Sequence, residues 1–329
     1  MARIIHFHKA GGPEVLQIEN IDVAAPGPDE IRIQVKALGL NRAESLFRMG
    51  KYLERPVFPS KIGYEASGIV ESVGNNVKEF KPGDIVSTAP IPSQAKYGVY
   101  GELAIVPARY VIKHPSTLSF EEAASLWMQY LTAYGALIDI AQMKKGDFVV
   151  IPAASSSVGL AAIQLCNMVG ATPIATTRKS DKSEILKKEG AAHVIATEEE
   201  DVAKRLNEIT DGKGARIVFD PVGGKTVDAL AAGMCENGIL FIYGALSSDP
   251  TPFPLFTALE KTLTMRGYVL WEILRDDKRF AKAKEFIVDG LKTKKLKPII
   301  AQTFPLDQIV EAHRYLESNQ QVGKIVVSV

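Results

Sequence analysis

Phe148-Val149-Val150-Ile151-Pro152-Ala153-Ala154-Ser155-Ser156-Ser157-Val158-Gly159 carries an apolar run through a loop of small residues into a helical pattern. The run 148–151 reads as a buried strand. Beyond the loop, Val158, Ala161, Ala162, Leu165, Cys166 and Val169 fall at i, i+3, i+4, i+7, i+8 and i+11, the apolar stripe of a helix facing a sheet. A strand that turns directly into a helix points first-turn N–H groups, which have no intrahelical acceptor, towards any phosphate lying over the turn. The dinucleotide spacing G-x-G-x-x-G falls on Ala154, Ser156 and Gly159, so only its last glycine is present. Small side chains still admit a close backbone approach. Ser155, Ser156, Ser157, Val158 and Gly159 are therefore the candidate pyrophosphate contacts, although the same loop also reads as a serine-rich helix cap without a ligand.

Working outward, strand and helix patterns alternate: strands at 172–176, 193–195, 216–219 and 239–243, and helices at 183–189, 202–209 and 227–232. This order predicts a doubly wound parallel sheet covered by helices on both faces, with a last apolar segment, 265–271, able to close it. The second strand ends at Thr177, where an acidic residue would hold the ribose hydroxyls of NAD. Arg178 and Lys179 follow instead, with Lys182 one helical turn on, a set suited to the 2′-phosphate of NADP. Asp220-Pro221-Val222-Gly223-Gly224 and Gly244 close later strands at their carboxyl ends, where open α/β sheets take ligands; both also read as plain turns.

Up to about residue 118 the chain consists of short apolar runs broken by turn pairs such as Pro26-Gly27 and Pro82-Gly83, a β-rich texture. Ser119-Phe120-Glu121-Glu122 is a capping box that predicts a helix running towards Ala141. A charged helix is expected around 279–291, and the tail carries a helix and a closing strand at 324–329. That strand resembles the first part of the chain more than the middle, so the C-terminus is expected to return to the first domain. The domains are then 1–123 with 270–329, and 124–269 between them.

Composition narrows the function. Thirty-nine basic against thirty-eight acidic side chains leave +1, no electrostatic footprint for nucleic acid or an anionic membrane, and a small-molecule partner is the default. No apolar run approaches the roughly 20 residues of a membrane span, and no signal peptide is read. Two cysteines, Cys166 and Cys235, exclude a disulfide framework and a zinc site built from several thiolates, and fit a cytoplasmic setting.

Several short motifs together resemble the zinc-independent quinone oxidoreductase and enone reductase branch of the medium-chain dehydrogenase/reductase superfamily. They are Gly39-Leu40-Asn41 with Arg48, Gly50 and Tyr52; Gly63-Tyr64-Glu65-Ala66-Ser67-Gly68; Lys81-Pro82-Gly83-Asp84; Leu131-Thr132-Ala133-Tyr134; the loop 153–159; 220–224; and Gly323-Lys324-Ile325-Val326. The resemblance spans the whole chain. It implies a GroES-like β-rich catalytic domain, a Rossmann nucleotide-binding domain and a homodimer. In zinc-dependent relatives a cysteine and a histidine occupy the places of Asn41 and Tyr64, with a third ligand near Met128 or Gln129. Here these residues supply neither thiolate nor imidazole, so no metal is expected.

What the resemblance implies is hydride transfer from NADPH to an acceptor already activated by conjugation, a quinone or an α,β-unsaturated carbonyl. Asn41 would lie by the nicotinamide and donate to the acceptor oxygen. Thr132 would touch the nicotinamide end, backbone around Tyr268 would hold its carboxamide, and Lys324 would lie near the cofactor. Tyr52 and Tyr64 are the candidate proton donors, or an aromatic wall. The position usually written as aspartate in the Asn41 motif is Glu44, and Arg48 and Glu65 are read as structural partners. A zinc-type alcohol dehydrogenase and a cofactor-binding protein with a structural, crystallin-like role are the alternatives.

Overall fold

A computed structural model describes residues 1–115 and 117–329. Its chain divides into two compact units, 1–128 with 298–329, and 129–297.

The first unit opens with a two-stranded antiparallel sheet, β1 (Ala2–His6) and β2 (Gln17–Ile21). Five strands follow: β3 (Glu30–Leu40), β4 (Glu65–Val73), β5 (Ile85–Thr88), β6 (Leu103–Pro107) and β7 (Val111–Lys113). In β3, Ile31, Ile33, Val35, Ala37 and Leu38 are buried, and the step from alternating to consecutive burial follows a register shift against β4 between Val35 and Ala37. Helices α1 (Arg42–Arg48) and α2 (Gln94–Tyr97) leave this sheet.

The helix expected from Ser119 towards Ala141 is broken. Its capping box forms, with Glu122 N donating to Ser119 Oγ at 3.2 Å and Ser119 N to Glu122 Oε2 at 3.0 Å. Yet α3 (Phe120–Ala123) lasts one turn before α4 (Trp127–Tyr134) starts, and 135–140 continue in wider turns. The break has two physical causes. Ala124 packs its carbonyl against β3 so closely that a Cβ on Gly39 would lie 2.0 Å from the oxygen. The Glu65 carboxylate, meanwhile, takes the Met128 N–H at 2.8 Å and starts a second helix there.

The second unit is a six-stranded parallel sheet in the order β10-β9-β8-β11-β12-β13: β8 (Phe148–Ile151), β9 (Thr172–Thr177), β10 (His193–Ala196), β11 (Ala215–Asp220), β12 (Met234–Ile242) and β13 (Thr264–Gly267). The helices between are α5 (Ser157–Val169), α6 (Ser183–Lys188), α7 (Val202–Ile209), α8 (Thr226–Ala232) and α9 (Leu255–Glu260). Val150, Ile174, Ile195, Val218 and Leu240 pack with Val202 and Leu206 of α7 and Val227 and Leu230 of α8 in one buried cluster. At about 1.5–3 kcal/mol for each buried Val, Leu or Ile, such a cluster supplies much of the unit's driving force. Leu160 and Ile163 are buried beyond the expected stripe of α5, so this helix is covered on more than its sheet face.

The closing segment ends early: β13 stops at Gly267, and Leu270 already leads into α10 (Trp271–Leu274). Helix α11 (Asp277–Lys292) follows, burying Phe280, Ala283 and Ile287, while Arg279 pairs with Asp139. By these contacts 270–297 packs with the nucleotide-type unit, whereas the sequence expectation set it with the first domain. The chain then returns to the first unit with β14 (Ile300–Pro305), α12 (Ile309–Ser318) and β15 (Lys324–Ser328). Strand β15 lies antiparallel to β3, with Ile325 opposite Leu40, so Lys324 faces the end of β3 where Asn41 begins α1.

Candidate active site

In the first unit, the first turn of α1 where it leaves β3, the start of β4 and the start of β15 bring two carboxylates, an amide and an ammonium into one buried cluster. Lys324 Nζ lies 2.6 Å from Asn41 Oδ1 and 2.5 Å from Glu65 Oε2, with Lys324 and Glu65 both buried. Asn41 turns its amide N–H groups inward, to the Gly39 carbonyl at 3.1 Å, Glu44 Oε1 at 3.2 Å and Glu65 Oε2 at 3.3 Å. The expected role of Asn41, donation to an acceptor oxygen, therefore competes with bonds its amide already makes. Lys324, expected near the cofactor, is sequestered on Asn41 and Glu65.

Glu44 is the hub. Its Oε2 accepts from Asn41 N at 2.7 Å and from the Tyr100 hydroxyl at 2.5 Å, and its Oε1 accepts from Tyr64 N at 3.0 Å. Burial pushes its carboxyl up and these donors pull it back. The Tyr100 hydroxyl, buried against that carboxylate, is held well above its ordinary value, by burial first. Asn41-x-x-Glu44 is the capping box of α1, a signal legible in the sequence that sequence reasoning left unused. Arg48 does not meet Glu65: it donates to His313 Nδ1 at 2.8 Å and pairs with Glu317 at 2.5 Å, both on α12. Burial, helped by that guanidinium, holds His313 down at about 3, so the ring is neutral.

The Tyr52 and Tyr64 side chains interact, and burial raises both phenols. Of the two, Tyr52 is the less buried, Tyr64 being 2% exposed.

The second unit holds the expected cofactor residues. Ser156 is the N-cap of α5, its Oγ accepting from Gly159 N at 3.1 Å. A Cβ on Gly159 would lie 2.6 Å from the Ala154 carbonyl, so the helix can start this close to the loop only with glycine there. Lys182 Nζ reaches back to Ser155 Oγ at 3.3 Å. Burial lowers its pKa, Asp181 raises it and Arg178 lowers it, so the two cations feel one another beside a neighbouring carboxylate. Thr177 ends β9 half-buried, with Arg178 and Lys179 exposed after it. Such a set fits a dinucleotide with an extra phosphate: donors for the pyrophosphate at 155–159, and Arg178 with Lys182 for the 2′-phosphate.

Gly244 is fixed by packing, since a Cβ would meet the Pro221 carbonyl at 2.6 Å. The neighbouring turn is organised by Asp220, whose carboxylate accepts from Val222 N at 2.7 Å and Gly223 N at 3.0 Å. Tyr268 is buried just past β13 and donates its N–H to the Ile242 carbonyl at 2.9 Å. Its hydroxyl packs against Gly135, where a Cβ would lie 2.1 Å away, and has no hydrogen-bond partner among the described residues. Thr132 is buried on α4.

A parallel sheet with a phosphate loop and a basic pair, and a β-rich unit with a buried polar cluster, are the two halves of a dinucleotide-dependent dehydrogenase or reductase. Residues 27–116 match the alcohol dehydrogenase GroES-like domain, and 157–289 match the zinc-binding dehydrogenase domain. The chain is 33% identical to quinone oxidoreductase 1 of Escherichia coli, covering 98% of each chain, and 30% identical to a 2-haloacrylate reductase of a Burkholderia species, covering 99% of this chain and 98% of the relative. The crystal structure of Escherichia coli quinone oxidoreductase complexed with NADPH superposes with a TM-score of 0.92 at 32% identity, over 100% of both chains. The chain belongs to the quinone oxidoreductase family of the medium-chain dehydrogenase/reductase superfamily, and is an oxidoreductase with a GroES-like and a Rossmann-type unit. No helix among the described residues is long and apolar enough to cross a membrane.

Proposed function

We infer that the chain is an NADPH-dependent reductase that passes hydride to a quinone or an α,β-unsaturated carbonyl without zinc. One observation carries the zinc-free reading. At the places where zinc-dependent relatives keep ligands stand the Asn41 amide, the Tyr64 phenol and either the Met128 thioether or the Gln129 amide, and the Lys324 ammonium already sits on the Asn41 oxygen. Zinc sites take thiolate, imidazole and carboxylate ligands in tetrahedral array. The two neighbouring carboxylates are already engaged, Glu65 on the ammonium and Met128 N, Glu44 on Asn41 N, Tyr64 N and the Tyr100 hydroxyl. The residues present do not fit the metal, and with no Lewis acid to acidify an alcohol, the acceptor has to be electron-poor in itself. The named relative that reduces a 2-haloacrylate, an alkene conjugated to a carboxylate, supports that class.

NADPH is the cofactor: Arg178, Lys182 and the loop 155–159 form the donor set it requires, and a relative of the same fold was crystallised with it. When bound it supplies the hydride. The chain's part is to hold the pyrophosphate on the α5 N-terminus, to hold the 2′-phosphate on the basic pair, and to meet charge arising on the acceptor oxygen with the Tyr52 hydroxyl, which Tyr64 backs.

Loss of NADPH absorbance with a panel of quinones, enals and enones tests this reading. Turnover that survives exhaustive chelation is expected, and activity that vanishes with the chelator overturns the zinc-free part. Because burial raises both phenols, they keep their protons further up in pH than free tyrosine, and kcat should show no tyrosine limb up to about pH 9. Tyr52→Phe should lower kcat for an enone about tenfold, the worth of one hydrogen bond to developing charge. A basic limb near neutrality in the wild-type profile would remove Tyr52 from that role.

The homodimer belongs to the same proposal. Strand β13 has one neighbour, β12, in the sheet order, and next to its start Phe253, Leu255, Phe256 and Leu259 are 62%, 51%, 83% and 67% exposed. A second copy laid edge to edge would pair the strand and cover these side chains. Light scattering after size exclusion should give twice the chain mass, and Phe256→Glu with Leu259→Glu should give the single mass; a wild-type monomer refutes the dimer.

A further inference from the structure

We propose that Lys324 is a positioning residue whose ammonium is the cluster's built-in cation, doing for Asn41 and Glu65 what a metal ion does for its ligands. This inference deepens the zinc-free part of the proposed function and concerns this chain's own residues. Two of the ammonium's donors are accounted for by Asn41 Oδ1 at 2.6 Å and Glu65 Oε2 at 2.5 Å, hard oxygen atoms of the kind that hold a small cation.

The surroundings are built for the lysine. Gly39 leaves room for its stem, since a Cβ there would lie 2.8 Å from Lys324 Cε. The register that sets Ile325 opposite Leu40 delivers the amine to the N-cap of α1. The order it imposes extends outward through both carboxylates. Glu65 spends its second oxygen on Met128 N, and Glu44, bonded to the Asn41 backbone and amide, holds Tyr64 N. Positions 41 and 64, where zinc-dependent relatives carry ligands, and Met128, one of the two residues at the third place, are thus each tied to the ammonium or to one of two carboxylates around Asn41. A buried positive charge on Asn41 and Glu65 anchors this part of the fold by hydrogen bonds instead of coordination.

A lysine that only filled space would be replaceable by any chain of its volume, whereas a cation is not, and this difference sets the test. Cutting the side chain back in Lys324→Ala leaves a cavity the size of propylammonium. Thermal unfolding of Lys324→Ala, refolded with and without propylammonium, should show a saturable rise in Tm of several degrees that propanol does not reproduce and the wild type does not show. The second arm is a charge cycle. Lys324→Met strands the Glu65 carboxylate, so adding Glu65→Gln should recover part of the lost Tm, although Glu65→Gln alone lowers it. Equal rescue by propanol, or no rescue, overturns the proposal, as does additive loss in the double variant. If Lys324→Ala does not fold, the Lys324→Met pair decides: a double variant that folds better than Lys324→Met supports the cation, and one that folds no better refutes it. Neither arm reads turnover. Stoichiometric zinc in the wild-type protein beside an intact charge cycle would sink the zinc-free reading alone, while a failed cycle in zinc-free, active protein would sink only this one.

Discussion

Arg178→Ala lowers kcat/KM for NADPH about tenfold to a hundredfold and leaves NADH nearly unchanged, because a charge-assisted bond to a phosphate carries roughly 1.5–3 kcal/mol and only NADPH offers that phosphate. Arg178 stands exposed just past the end of β9, and its charge is felt by Lys182, whose amine already touches the loop at Ser155. Arg178 disfavours the charged Lys182 amine and Asp181 favours it, so a doubly charged anion held by both cations also relieves whatever repulsion Asp181 leaves between them. Lys182→Ala should therefore weaken NADPH use too, and the double variant should lose less than the product of the two single losses. Steady-state kinetics with both coenzymes decides the point: equal losses for NADPH and NADH would move the 2′-phosphate away from Arg178.

The legibility of this chain follows the range of the interactions involved. Residues 148–151, 172–177 and 202–209 were readable because apolar period and loop chemistry are local, and a parallel sheet buried on both faces needs little else. The return of the C-terminus was readable from the texture of its last strand, and β15 does pair with β3. The break at 124–126 was not, because its causes, Gly39 and Glu65, lie more than fifty residues away in sequence and act on single backbone groups. In the candidate site the residue types were legible and their pairings were not. Lys324 reads as a charge opening a strand until β15 is laid beside β3. Arg48 and Glu65, both read as structural partners, prove to pair with α12 and with Lys324, respectively. Glu44 could have been found, since N-cap Asn41 followed three residues later by glutamate is a local pattern.

Glu44 is also where one substitution should do most damage. Glu44→Ala removes the acceptor of four donors at once: Asn41 N, the Asn41 amide, Tyr64 N and the Tyr100 hydroxyl. Each buried donor left without a partner costs about 1–3 kcal/mol, so the sum approaches the 5–15 kcal/mol that holds an ordinary domain together. Glu44→Gln is not a mild version, since both carboxylate oxygens accept and an amide nitrogen would turn N–H towards N–H. Glu44→Asp keeps the charge but falls a methylene short of the N-cap N–H, and should rank between wild type and the other two. Thermal unfolding should therefore order the variants as wild type, Asp, then Gln and Ala, with the largest loss at least about 3 kcal/mol, the least that stranding Asn41 N, Tyr64 N and the Tyr100 hydroxyl costs, since the Asn41 amide keeps Gly39 and Glu65 as acceptors. Since the Tyr64 N–H hangs on this carboxylate and the Tyr64 hydroxyl backs Tyr52, Glu44→Asp should lower kcat for an enone more than it lowers affinity for NADPH. An aspartate variant with wild-type Tm and kcat would show that the four bonds do not hold the site, and the link from Glu44 through Tyr64 to Tyr52 would fall with them.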